Sequence, residues 1–307
     1  MKYLLTGCAG FIGSHLVERL LKENDTTEVV VIDNMYEGKL SNLPTDSRLT
    51  IYEGSILDPI EELFHEIDVV FHLAALTRPQ ESIADPEKYN ETNITGVLRV
   101  LLLSKKHGVK RVVFVSSASA YGDQKILPTK ETAKMNPMCP YALQKMMGEQ
   151  YARLIQLLYG LEINYVRPFN VYGPRQNPLN PYSAAVPKFI DALIKGKTPY
   201  ITGDGSQSRD FVYVTDCVEI MYLASKCKQS GEAFNAGSGK STSISELYNV
   251  VCKVMDKDVT PDYVEKVIEP NTLADMSKVK KLLNYEPQVS LEEGIRRTVN
   301  GTLNNNS

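Results

Sequence analysis

Tyr3-Leu4-Leu5-Thr6-Gly7-Cys8-Ala9-Gly10-Phe11-Ile12-Gly13 stands near the start of the chain, and Val29-Val30-Val31-Ile32-Asp33 follows it. A short apolar run, three spaced glycines and helical periodicity over residues 11–22 read as strand, tight turn and helix. Glycines at these positions permit the turn, let the backbone approach a pyrophosphate, and bring the helix close to the strand. The helix N-terminus then offers unpaired N–H groups to the phosphates. Glycine also serves ordinary strand–helix turns. Asp33, about twenty residues on at the end of a second strand, is what makes the pattern a dinucleotide site. A carboxylate there accepts from both ribose hydroxyls and repels a 2′-phosphate, so NAD is favoured over NADP. Phe11, Ile12 and Asn34 flank these residues and belong to the same expected site.

Working outward, Asp68-Val69-Val70-Phe71-His72 and Val112-Val113-Phe114-Val115 are further short, continuous apolar runs of the kind buried in parallel sheets. Helical patterns over 60–66, 86–107 and 141–159 alternate with them, and another strand is predicted over 163–167. This alternation implies an α/β fold with a doubly wound parallel sheet. After Arg167 the prolines at 168, 174, 178, 181 and 187 mark a largely irregular stretch. The predicted plan is a Rossmann-type dinucleotide domain, 1–170 plus about 211–240, with a smaller discontinuous domain from about 171–210 and 241–307 closing over it.

The whole chain has 307 residues, long enough for a large core without disulfides or a structural metal. Its 34 basic and 37 acidic residues leave a net charge of −3 with no basic tract, which argues against a nucleic-acid partner. No apolar run approaches a membrane span. The N-terminal run goes straight into the glycine turn and reads as a strand, not a signal peptide. Five scattered cysteines without a Cys-x-x-Cys pair point to a reducing cytoplasm, and the four histidines show no metal spacing. No metal is expected.

Tyr141-Ala142-Leu143-Gln144-Lys145 places a phenol and an ammonium four residues apart, on one face of a helix. A phenol with an ordinary pKa near 10 is a poor base at neutral pH, and a nearby cation favours its ionised form. Tyr-x-x-x-Lys also arises on plain amphipathic helices. Ser117, in Val115-Ser116-Ser117-Ala118-Ser119-Ala120-Tyr121-Gly122, adds a hydroxyl directly after a buried strand, where open α/β sheets bind ligands. Ser117, Tyr141 and Lys145 form the expected catalytic set, with Lys145 also holding the nicotinamide ribose.

With its Gly-x-x-Gly-x-x-Gly spacing, the chain resembles the extended short-chain dehydrogenase/reductase family, in its NAD-dependent epimerase/dehydratase group, almost to the C-terminus. The resemblance implies that Asp58 and Ile56 contribute to the adenine pocket. Leu73, Ala74 and Ala75 would line the cofactor, and Asn93 would contact it from the central helix. Family dehydratases and decarboxylases carry an additional acid just after the catalytic hydroxyl. Here those positions are Ala118 and Ser119, which leaves oxidation and reduction at one carbon, as in the UDP-sugar 4-epimerases.

At the substrate end the resemblance implies a set of Ser117, Ser119, Tyr141, Asn170, Val186, Phe189, Arg209, Thr272 and Asp275. Asn170 would contact the diphosphate or sugar, Phe189 would pack on uracil, and Arg209 would clamp the diphosphate. Ala274-Asp275-Met276-Ser277-Lys278 matches a family stretch, but its upstream phosphate arginine is missing, and Lys266 stands nearest as a substitute. Thr272 falls where glucose-restricted epimerases carry a bulky tyrosine, which implies room for an N-acetyl group. The resemblance thus points to 4-epimerisation of UDP-N-acetylglucosamine and UDP-N-acetylgalactosamine, or of UDP-glucose and UDP-galactose, in a homodimer paired through helices 86–107 and 141–159. A dTDP-sugar epimerase or ketoreductase and a non-catalytic NAD-binding regulator are the alternatives.

Overall fold

The computed structural model describes residues 1–178, 185–265 and 270–304. Its strands are β1 (Lys2–Thr6), β2 (Glu28–Asp33), β3 (Leu49–Glu53), β4 (Val69–His72), β5 (Arg111–Val115), β6 (Glu162–Pro168), β7 (Asn170–Tyr172), β8 (Tyr200–Thr202), β9 (Ser208–Tyr213), β10 (Ala233–Ala236), β11 (Ser241–Ser243) and β12 (Asp262–Val264). The helices are α1 (Phe11–Leu21), α2 (Pro79–Ala84), α3 (Pro86–Asn90), α4 (Val97–Lys106), α5 (Pro140–Tyr159), α6 (Ala185–Ile194), α7 (Val214–Lys226), α8 (Ile244–Met255), α9 (Ser277–Leu283) and α10 (Leu291–Asn304).

Seven strands form one parallel sheet in the order β3-β2-β1-β4-β5-β6-β10, the doubly wound Rossmann arrangement. The continuous apolar runs are explained by burial on both faces. Tyr3 and Leu5 join the core shared with Leu16 and Val17 of α1 and with α7, whereas Leu4 and Val70 join the opposite core with Val100 and Leu101 of α4 and Ala152 and Ile155 of α5. Strand order reverses between β1 and β4, so the loops leaving them diverge and open a crevice at the carboxyl ends of the strands.

Two features differ from the sequence expectation. Residues 60–66 supply only a short 3-10 turn, Glu61–Phe64, with Ile60 and Phe64 turned into the core. The helix expected over 86–107 is interrupted by a π-helical stretch, Glu91–Gly96, between α3 and α4. Gly96 allows this close packing, since a Cβ there would lie 2.4 Å from Ile56 Cδ1.

The later strands build two smaller sheets: β7 and β9 pair in parallel with β11 antiparallel on β9, and β8 pairs with β12. Among the described residues, no helix is long and apolar enough to cross a membrane, and no cluster of His, Cys, Asp and Glu is arranged to hold a metal.

Candidate active site

A cleft of about 490 Å³ lies at the switch point and gathers the ends of β1, β2, β4 and β5 with the segment after β6. Gly7 and Gly13 are required by the chain itself. Gly7 has φ +71°, and a Cβ there would lie 2.6 Å from Ala74 Cα; one on Gly13 would lie 2.4 Å from Cys8 Cα. Gly10 is different. Its Cβ would meet nothing closer than Gly7 O at 3.7 Å, and it stands as the N-cap of α1 without a side-chain cap or an acid in the first turn. The space beside Gly10 is therefore a cradle facing bare helix N–H groups, which suits a pyrophosphate.

Asp33 closes the adenosine side. One carboxylate oxygen accepts from Ala9 N–H (2.8 Å) and the other from Met35 N–H (2.9 Å). Each oxygen keeps a lone pair for a ribose hydroxyl. Burial pushes this carboxyl up, while the two N–H donors pull it back. Phe11, Ile12, Asn34, Ile56, Leu73, Ala74 and Ala75 also line the cleft, and the donor set fits a dinucleotide. Two family-implied contacts fall outside the lining. Asp58 accepts from Ser55 N–H (2.7 Å) and shapes the turn beneath Ile56. The Asn93 carboxamide accepts from Leu76 N–H (2.9 Å) and donates to Leu76 O (2.9 Å) and Gln144 Oε1 (3.0 Å), which holds the loop after β4 against α5.

Ser117, Tyr141 and Lys145 converge at the other end of the cleft. The start of α5 is fixed by Tyr141 N–H donating to Ser82 Oγ of α2 (3.1 Å). Burial pushes the Tyr141 phenol up to about 12, and its hydrogen bond with Ser117 pulls the other way. Ser119 reinforces Ser117, its N–H (3.1 Å) and hydroxyl (2.9 Å) both donating to Ser117 Oγ. The Lys145 ammonium donates to Val115 O (2.8 Å). Burial brings Lys145 down to about 8, with Glu149 opposing. Beneath this pair, His72 is fully buried and bonded to Thr6 Oγ1 (2.7 Å); desolvation, with a smaller effect of Lys145, lowers it to about 3.

At the sugar end, Asn170 lines the cleft and donates to Thr272 Oγ1 (3.2 Å) and Asp210 O (3.2 Å). Arg209 reaches across to the same loop, donating to Pro270 O and Ser208 O, both at 2.9 Å. Val186 and Phe189 of α6 are buried, with the Phe189 ring edge-on to Tyr248 of α8 at 5.2 Å, because the apolar face of α6 is covered by α8. Asp275 is likewise committed, accepting from Ser277 N–H (2.8 Å) at the start of α9. Lys266, named above as a substitute phosphate ligand, lies outside the described residues.

Sequence reading missed several cleft-lining residues. Arg78, after β4, pairs with Glu37 after β2 and with Glu81 of α2 (2.5 Å). Arg175, at φ +70°, docks on α1 by donating to Ser14 Oγ (3.0 Å) and pairing with Glu18. The Gly-Pro-Arg-Gln run before Asn177 was a usable signal for Arg175; Arg78 and Glu37 carried none.

A family model for the NAD dependent epimerase/dehydratase family matches residues 3–237. The chain belongs to that family. It is 36% identical to a UDP-glucose 4-epimerase of Mycolicibacterium smegmatis, covering 97% of each chain. It is 34% identical to a UDP-N-acetyl-alpha-D-glucosaminuronate decarboxylase of Bacillus cytotoxicus, covering 96% of each. Among solved structures it resembles a UDP-N-acetylglucosamine 4-epimerase of Methanobrevibacter ruminantium, in complex with UDP-N-acetylmuramic acid, with a TM-score of 0.95 and 36% identity over 99% of this chain and 98% of that one. NAD is the cofactor of this family member.

Proposed function

We propose that this protein is an NAD-dependent 4-epimerase of UDP-hexoses, acting on UDP-N-acetylglucosamine and UDP-N-acetylgalactosamine and also accepting UDP-glucose and UDP-galactose. The observation that carries this reading is the distribution of acids in the cleft. Among the described lining residues the carboxylates are Asp33, at the end of β2, and Glu37, just after it, and none stands at the Ser117–Tyr141 end. Eliminating a hydroxyl requires a proton donor beside the leaving oxygen. Ala118 and Ser119 supply no carboxyl, so the reaction supported is reversible oxidation at C4.

NAD would be held by the cradle beside Gly10 and by Asp33, and when bound it would supply reversible hydride transfer at C4 of the sugar. Tyr141 removes the proton of the 4-hydroxyl and gives it back. Ser117 hydrogen-bonds the same sugar oxygen, with Ser119 holding its orientation. Lys145 holds the nicotinamide ribose. Asn170 and Arg209 face the nucleotide diphosphate, and Thr272 leaves space for the 2-substituent while the 4-keto sugar turns. Residues 171–210 and 241–307 are read as the nucleotide-sugar lobe. A second copy would cover the exposed apolar positions Leu102, Leu143, Leu154 and Leu158 on α4 and α5.

The test is incubation of purified protein with UDP-N-acetylglucosamine, UDP-glucose and their dTDP and GDP counterparts, without added NAD, followed by product identification by NMR. Formation of the C4 epimer of the UDP-sugars supports the reading. A dehydrated or decarboxylated product, or turnover confined to dTDP-sugars, refutes it.

A further inference from the structure

We propose that Glu149 is a positioning residue that acts through Lys145 as the buried counter-ion of the catalytic ammonium, and that Arg167 fixes where its carboxylate stands. The proposal rests on the reading above only in naming Lys145 as part of the reacting site.

Tyr141, Lys145 and Glu149 follow one another at intervals of four along α5, so all three share one face of the helix. Lys145 and Glu149 are 4% and 6% exposed. An ammonium taken out of water needs a nearby negative charge or it gives up its proton. Its direct acceptor is the neutral Val115 carbonyl. Glu149 is the carboxylate that acts on it.

Glu149 is itself held with little freedom. Arg167, on β6, grips it with a two-pronged contact: Nε donates to Oε1 (2.9 Å) and Nη2 to Oε2 (2.6 Å). This planar fork specifies direction as well as distance. Arg167 Nη1 also donates to Tyr121 Oη (2.8 Å) and Glu131 O (2.9 Å), and Tyr121 donates onward to Asn235 Oδ1 (2.7 Å). Asn235 N–H returns to Glu131 Oε1 (3.0 Å). The catalytic helix is thereby tied to the loop after β5 and to β10, so Glu149 cannot follow Lys145 if the lysine moves.

The charged and titratable groups facing this pair are few. Tyr141 of α5 and His72 of β4 stand near Lys145, with His72 uncharged. Arg167, Tyr165 and, more remotely, Arg153 and Tyr121 stand around Glu149. Among the described residues, Glu149 is the carboxylate that acts on Lys145. Without the Glu149 charge, the lysine would be neutral over more of the range near pH 7–8.

The experiment compares wild type, Glu149→Gln and Glu149→Asp in three measurements: epimerisation rate from pH 6 to 9.5, NAD affinity at pH 6.5 and 8.5, and thermal unfolding. For Glu149→Gln the alkaline limb is expected to move down by about one pH unit, so the ratio of the rate at pH 8.5 to that at pH 6.5 falls roughly sixfold. NAD affinity should weaken more at pH 8.5 than at pH 6.5. Glu149→Asp, which keeps the charge but withdraws it by one methylene, should shift the limb the same way by less, and it carries the test if Glu149→Gln does not fold. Uniform loss of rate with an unmoved limb and pH-independent NAD affinity would mean that Glu149 serves the fold alone. A wild-type protein inactive on every UDP-sugar would sink the proposed function instead, and the NAD arm would still decide the role of Glu149.

Discussion

Replacing Gly10 and Gly13 separately by alanine distinguishes a glycine needed for the ligand from one needed for the fold. At Gly13 a methyl group would lie 2.4 Å from Cys8 Cα and 2.7 Å from its Sγ, in a region where Cys8 is fully buried. Backbone cannot step aside cheaply, and such overpacking costs about 1–3 kcal/mol. The gain in helix propensity from glycine to alanine, about 1 kcal/mol, offsets only part of it. Gly13→Ala should therefore lower the melting temperature by several degrees, at roughly 2–4 °C per kcal/mol in a chain of this order of size. At Gly10, φ is −79° and the nearest heavy atom would be 3.7 Å away, so alanine meets neither strain nor crowding. Its loss as an N-cap is worth less than about 1 kcal/mol. The methyl group would nevertheless occupy the cradle, and a tenfold or greater loss of NAD affinity, about 1.4 kcal/mol, is expected. Thermal unfolding of cofactor-stripped protein and bound NAD per chain after purification measure the two effects independently. A Gly10→Ala protein that keeps its full complement of NAD would refute the reasoning.

Thr272→Tyr should depress interconversion of the N-acetylated UDP-sugars tenfold or more while largely sparing UDP-glucose and UDP-galactose, since a clash of about 1–3 kcal/mol falls on the bulkier substrate; equal losses in kcat/KM for both pairs would remove Thr272 as the gate. His72, held neutral by burial with its pKa lowered to about 3, contributes stability that is present above pH 6.5 and lost as pH falls toward 3. The slope approaches about 1.4 kcal/mol per pH unit, and urea unfolding of His72→Asn should show it flattened. Leu154→Glu with Leu158→Glu, on the exposed face of α5, should convert a dimer to a monomer in sedimentation without loss of fold; an unchanged wild-type monomer would end the dimer proposal.

The first strand, the glycine turn, Asp33 and the Tyr141–Lys145 spacing were legible because each is a local pattern whose chemistry depends on neighbours within a few residues. Strands β3 and β10 were not. β3 is an edge strand whose Ile51 is 37% exposed, so it lacks the continuous burial that marked the others. β10, Ala233–Ala236, carries one large side chain, Phe234, and its strand character comes from pairing with β6. Val186 and Phe189 show the limit in the other direction. An apolar residue at helical spacing reads the same whatever it meets, and only the fold shows that α8 stands against the Phe189 ring.

The two ends of the cleft differ in legibility for one physical reason. A pyrophosphate is held largely by backbone N–H groups, and what that requires of the chain is the absence of side chains at fixed intervals, which a single stretch of sequence displays. The proposed contacts to the sugar come instead from side chains, Ser117, Asn170 and Thr272, which lie far apart in the chain and of which Asn170 and Thr272 meet only through the fold. Lys145 combines both cases. Its interval from Tyr141 is written in one helix, so its presence at the site was predictable. Its charge depends on Glu149, which is held by Arg167 from a different strand, and that contact exists only after the sheet has formed. A motif can therefore name the catalytic lysine while leaving open which form it takes at neutral pH, because the motif contains the group and the fold supplies its environment.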